Sequence, residues 1–180
     1  FVHTEKELLE FFDHSFYASQ FGDMQQLHLI VNKVIGMLED WEFIKPSKKD
    51  DSGFVTASQM NADKELKATL LGEKVAELYL DPLTANQILE QLSYAKNVSD
   101  LPAFPILHMV SSTLEIRPLP SVRMAEYDDI VGSTLSFIDE LLSEVPDEYD
   151  EEYEEFVKEL KQSLIFYEWI EEIGEDKILE

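Results

Sequence analysis

Ala68-Thr-Leu-Leu-Gly-Glu-Lys-Val-Ala-Glu-Leu-Tyr-Leu-Asp-Pro-Leu-Thr-Ala85 holds two helix starts in eighteen residues. Thr69 has the side chain of an N-cap and is followed by Leu70, Leu71, Val75, Leu78 and Tyr79, the apolar positions of a short amphipathic helix. Asp81-Pro82 then opens another helix through Ile88, Leu89 and Leu92, because proline fits the first turn, where its missing N–H is not needed.

Upstream, Phe43-Ile-Lys-Pro46 and Phe54-Val-Thr-Ala57 are two short β-prone runs around the polar stretch Ser47 to Gly53, the pattern of a hairpin. Before them, Leu27, Ile30, Val31, Val34, Leu38 and Trp41 recur at helical spacing after the Gly22-Asp23 break. Thr4 with Glu7 has capping-box spacing and starts a first helix carrying Leu8, Leu9, Phe11 and Phe12. Helix, helix, hairpin, helix is the layout of a winged-helix module, here expected over residues 1–80 and truncated at its N-terminus.

From residue 81 to 180 the pattern is helical: a short helix around Pro105 to Val110, a strap at Arg117-Pro-Leu-Pro120, and longer helices over about 124–142 and 147–171. The last carries a stripe of Tyr153, Phe156, Val157, Leu160 and Leu164. The expected fold is therefore mainly α, a winged-helix module with a small β-hairpin followed by a helical-bundle segment. Phe1 opens the chain abruptly, and Asp176-Lys-Ile-Leu-Glu180 reads as the start of a further helix, so both ends are expected to be truncations of a longer parent.

Composition narrows the chemistry. The 180 residues are 44% hydrophobic, enough to build a core, and contain no cysteine, which excludes disulfides and thiolate metal sites. No signal peptide and no apolar run of about 20 residues is present, which points to an intracellular protein. Net charge is -24, with 14 basic against 38 acidic residues. Residues 1–90 hold 8 basic and 16 acidic side chains and the remainder hold 6 and 22, so the second half is the more acidic. Such a chain repels nucleic acid at long range, since phosphate affinity comes from Lys and Arg.

Six unclustered glycines leave no phosphate-cradling loop, so the chain is not expected to hydrolyse ATP itself. His3, His14, His28 and His108 form no metal spacing and read as structural. The run Asp147-Glu-Tyr-Asp-Glu-Glu-Tyr-Glu-Glu155 lacks the turning glycine and alternating ligands of a calcium loop. It reads instead as acids in a first helical turn, favoured by the macrodipole, with aromatics facing the core; a surface for a basic partner is the alternative. No nucleophile-elbow motif supports a Ser-His-Asp enzyme.

The DNA-contact candidates are Lys33 on the second long stripe and Lys45, Lys48 and Lys49 on or beside the hairpin, although Glu39, Asp40, Glu42, Asp50 and Asp51 offset their field. Arg117 and Arg123, the only arginines, flank the proline strap and read first as structural ion pairs, second as DNA contacts.

Five phrases, in order, carry a resemblance: Ser15-Phe-Tyr-Ala18; Leu38-Glu-Asp-Trp-Glu-Phe-Ile44; the stretch 68–85; Leu107-His108 with Arg117-Pro-Leu119; and Tyr167-Glu-Trp-Ile-Glu-Glu172. Together they resemble the accessory half of archaeal superfamily 2 DNA repair helicases of the Hjm, Ski-two-like type, along nearly the whole chain. The resemblance implies a cytoplasmic archaeal parent whose RecA-like motor domains bind ATP and magnesium and move 3′-to-5′ on single-stranded or forked DNA. This chain would be a monomeric, non-catalytic part that scaffolds the motor and the DNA path, with no cofactor of its own. A free-standing winged-helix regulator or protein-interaction module is the alternative.

Overall fold

The computed structural model describes residues 3–46, 65–95 and 101–174. The chain divides into two compact units, Phe1–Pro82 and Leu83–Glu180. Eight α-helices and one two-stranded antiparallel sheet are found among the described residues, the mainly helical architecture with a small hairpin that the sequence implies. Lys48, Lys49, the run 54–57 and the start of a helix at 176–180 lie outside the described residues.

In the first unit, α1 (Glu5–Asp13) opens with the expected capping box: Glu7 N–H donates to the Thr4 hydroxyl at 3.1 Å and Thr4 N–H to the Glu7 carboxylate at 3.1 Å. A short α2 (Phe16–Phe21) is capped by Ser15, and Asp23 caps α3 (Met24–Asp40). The buried face of α3 is Leu27, Val31 and Ile35, against Leu8, Leu9 and Phe12 of α1 and Ile44 and Leu66 of the hairpin. Ile30 and Val34, expected in that stripe, are 43% and 47% exposed. An i, i+4, i+8 row faces the core, and these two flank it.

The sheet gives the hairpin a partner strand that the sequence did not suggest. β1 (Ile44–Pro46) pairs with β2 (Leu66–Ala68), in the register Ile44↔Ala68, Lys45↔Lys67, Pro46↔Leu66, while the expected partner run 54–57 lies outside the described residues. Packing Ile44 and Leu66 together on the α3 face favours that pairing, since a one-residue slip would put them on opposite faces of the sheet.

Helix α4 (Leu70–Glu77) is locked to β1 through its cap. Thr69 N–H donates to the Phe43 carbonyl at 2.9 Å, its hydroxyl donates to the Glu42 carbonyl at 2.7 Å, and it accepts from Gly72 N–H at 3.1 Å. The backbone comes so close that a Cβ on Gly72 would lie 2.0 Å from the Phe43 carbonyl oxygen. Only Val75 of this helix is buried. Leu70, Leu78 and Tyr79, expected in its core stripe, are 74%, 67% and 96% exposed, and the helix ends before Leu78.

The second unit packs α6 (Ala103–Ser111) on α8 (Tyr153–Ile170), with α5 (Pro82–Tyr94) and α7 (Tyr127–Thr134) beside them. Its core is Phe104, Ile130, Phe156, Val157 and Leu160, with Phe104 stacked on Phe137 at 4.5 Å. Buried Ser111, Thr134 and Ser163 satisfy their hydroxyls on carbonyls four residues back, at 2.8, 2.9 and 2.6 Å.

Two expected helices are shorter than their sequence pattern. The one over 124–142 is α7 followed by a 3-10 helix at Leu135–Glu140, with the Thr134 hydroxyl at the junction donating to the carbonyls of Ile130 and Val131. The one over 147–171 begins only at Tyr153, because Asp147 and Asp150 turn the backbone first by accepting from the Tyr149 and Asp147 amides. Tyr149 is 94% exposed and does not face the core, while Tyr153, Phe156, Val157, Leu160 and Leu164 all pack there as expected.

Candidate functional site

Two groups of polar residues stand out, one on each unit. On the first unit, Lys45 in β1 and Lys67 in β2 are directly opposed and both exposed. Like charges across an antiparallel pair are unfavourable by themselves and become favourable beside an anion. Sequence reasoning missed Lys67 because it placed the partner strand at 54–57. The groove beside Lys45 is lined by Glu39, Glu42, Thr69 and Leu70, so two of the acids expected to offset its field share that groove, while Asp50 and Asp51 lie outside the described residues. Lys33 is exposed on α3.

On the second unit, Arg117 reaches α8, where its Nη2 lies 3.0 Å from Glu159 and 3.3 Å from Glu155. These two carboxylates are one helical turn apart and so share the guanidinium. Arg117 is therefore engaged as the structural ion pair its isolation in the sequence suggested. Arg123 differs: its backbone amide donates to Glu126 at 2.6 Å, while its side chain is exposed beside Met124 and Tyr127 along a shallow cavity.

Beside the Arg117 pair lies His108, 1% exposed on α6 and set edge-on to the Phe156 ring at 5.4 Å. Burial pushes its pKa down to about 4, so it is neutral at physiological pH. Its Nε2 is 3.9 Å from Glu159, too far for a hydrogen bond, and neither ring nitrogen has a partner. Burial also raises Glu159, against the opposing hydrogen bond and charge of Arg117. The other histidines are local: His28 meets Asp13 at 2.6 Å, and His14 Nδ1 lies 2.7 Å from the Glu10 carbonyl. Asp13 thus pairs with His28 on α3 rather than with its neighbour His14.

Among the described residues, no three His, Asp or Glu side chains gather as a metal site, and no helix is long and apolar enough to cross a membrane. Among the described residues, the geometry offers exposed cations and part-buried ion pairs.

Residues 104–180 match the family described as archaeal helicase, domain 4. Over 99% of its length the chain is 32% identical to the ATP-dependent DNA helicase Hel308 of Methanocella arvoryzae, covering 22% of that protein. It is 30% identical to the Methanocaldococcus jannaschii Hel308 over 99% of this chain and 12% of that protein. Against the Pyrococcus horikoshii Hel308 the identity is 30%, over 97% and 22%. The chain is related to the accessory region of archaeal superfamily 2 DNA helicases. It spans about a fifth of the length of the first of these Hel308 helicases, and its resemblance to them runs through both units.

Proposed function

We propose that this chain is a non-catalytic accessory part of an ATP-dependent DNA helicase, a winged helix and the start of a helical bundle that hold the motor and the DNA path in register. The observation that carries the proposal is similarity along 99% of this chain to a fifth of a Hel308 helicase. ATP and magnesium then belong to RecA-like motor domains elsewhere in the parent, which drive 3′-to-5′ unwinding in repair or replication restart inside the archaeal cytoplasm. Leu29 on α3 and Leu70 and Leu78 at the two ends of α4 are each at least two-thirds exposed, which supports docking of the first unit against such a motor.

DNA contact in this reading falls to Lys45 and Lys67, with Lys33 and Arg123 as further cations, while Arg117 braces α8. With a net charge of -24, the chain alone binds DNA weakly. The test is a titration with single-stranded and forked DNA at about 50 mM salt, where phosphate contacts are strongest. The scaffold reading expects no binding by the chain alone, and in the full-length helicase weaker, less salt-sensitive binding after Lys45→Ala with Lys67→Ala. Tight, salt-sensitive binding by the chain alone would overturn it in favour of an autonomous winged-helix module.

A further inference from the structure

In the second unit a cavity of about 320 Å³ opens between Gln87 and Gln91 of α5 and Glu155 and Glu159 of α8, with Glu152 at the start of that helix. It is independent of the cations assigned to DNA. Glu155 and Glu159 share Arg117, and Glu155 also meets Lys158 at 3.6 Å. Glu152 and Glu144, which lines the rim, have no cation within 4 Å among the described residues.

A second observation concerns Gln91, only 8% exposed. Its amide Nε2 donates to the Ser112 hydroxyl at 3.3 Å, while its carbonyl Oε1 is buried with no hydrogen-bond partner. Gln87 likewise spends its amide donors on Ser112, at 3.0 and 3.1 Å. The lining therefore offers acceptors, charged and neutral, and has its amide donors already committed. Phe156 adds aromatic surface to the wall.

We propose that this cavity binds a guanidinium group, carried by an arginine side chain of a partner or by a small free guanidine. Carboxylates and a carbonyl spread over a cleft suit a planar cation with several fixed N–H donors better than a compact ammonium, and a guanidinium also stacks on an aromatic wall. Arg117 already places one guanidinium nitrogen, Nη2, between two carboxylates of this helix.

The experiment follows the side-chain amide signals of Gln87 and Gln91 by NMR of the ¹⁵N-labelled chain. Ethylguanidinium chloride is titrated first, then ethylammonium chloride at matched ionic strength, then an acetylated, amidated Gly-Arg-Gly peptide. Saturable shifts with ethylguanidinium are expected, with ethylammonium weaker by about fivefold and Glu144→Gln and Glu152→Gln each weakening ethylguanidinium by a similar factor. Both substitutions sit on exposed rim positions, so the fold does not depend on them. Binding of the peptide as well assigns the site to a partner's arginine, and binding of ethylguanidinium alone assigns it to a small guanidine. Shifts that do not saturate, equal binding of ethylammonium, or no effect of either substitution would overturn the proposal and leave only a generally acidic surface.

Discussion

Replacing His108 with leucine, close to it in volume, probes the buried polar cluster of the second unit. In the folded chain the imidazole is almost inaccessible and its pKa is pushed down to about 4. In the unfolded chain it titrates near its ordinary value of about 6.5. Between those values the unfolded state binds more protons than the folded state, so His108 takes stability away as pH falls from about 6.5 toward 4. From pH 7.5 to pH 5 the loss comes to about 2 kcal/mol. Glu159, whose pKa is raised, works in the opposite direction and is present in both chains, so the difference between them isolates the histidine. Leucine also removes two unpartnered nitrogens, and His108→Leu should be within about 1.5 kcal/mol of the parent at pH 7.5. Urea denaturation reads this cleanly in a Trp41→Phe background, where Trp169 alone reports on the second unit. If both chains lost the same stability from pH 7.5 to pH 5, to within about 0.5 kcal/mol, the burial argument for His108 would be wrong.

Leu160 is 1% exposed and Leu78 is 67% exposed, so in urea denaturation Leu160→Ala should cost about 2–5 kcal/mol and Leu78→Ala less than about 0.5 kcal/mol. Gly72→Ala should destabilise the first unit by about 3 kcal/mol or prevent its folding, because the Phe43 backbone cannot retreat. Gly36→Ala, in the middle of α3 with open space around it, should instead raise thermal stability by up to about 1 kcal/mol. Arg117→Met should cost about 1–3 kcal/mol at pH 7 by leaving Glu159 half-buried without its partner. Part of that loss should return as pH falls and Glu159 takes a proton.

Local signals were legible in the sequence and long-range ones were not. The Thr4 and Glu7 capping box, the Thr69 cap and the Tyr153-to-Leu164 stripe each depend on residues within a few positions of one another, and each folds as its pattern implies. The partner of β1 was missed because Leu66-Lys-Ala68 has little β character of its own. It pairs because Ile44 and Leu66 are buried together on α3. The change from α to 3-10 geometry after Thr134 was hidden for another reason: the apolar spacing through Ile130, Phe137 and Leu141 suits either helix. His108 carried a faint signal, as one histidine within the otherwise apolar Ala103–Ser111 helix, but its carboxylate neighbour lies on α8 and could not be assigned from spacing.

The charge of the second unit has a structural use that bears on the DNA path. Among its described residues the cations are Arg117, Arg123, Lys158 and Lys161, and three of these are held by carboxylates of α8 or Glu126. Lys161 meets Glu126 at 2.7 Å and also donates to the Ser121 carbonyl, tying α8 to the strap before α7. Among the described residues, the acids therefore hold three of the unit's four cations in bracing the bundle. A phosphate backbone approaching this unit would find Arg123 as its one exposed cation among the described residues, on a surface otherwise rich in carboxylates. The opposed Lys45 and Lys67 of the first unit, by contrast, are held in place by backbone pairing, so their position does not depend on an ion pair that a phosphate would have to break. Among the described residues, the cations of the hairpin thus owe their position to backbone pairing, while those of the acidic bundle are mostly held by its own carboxylates.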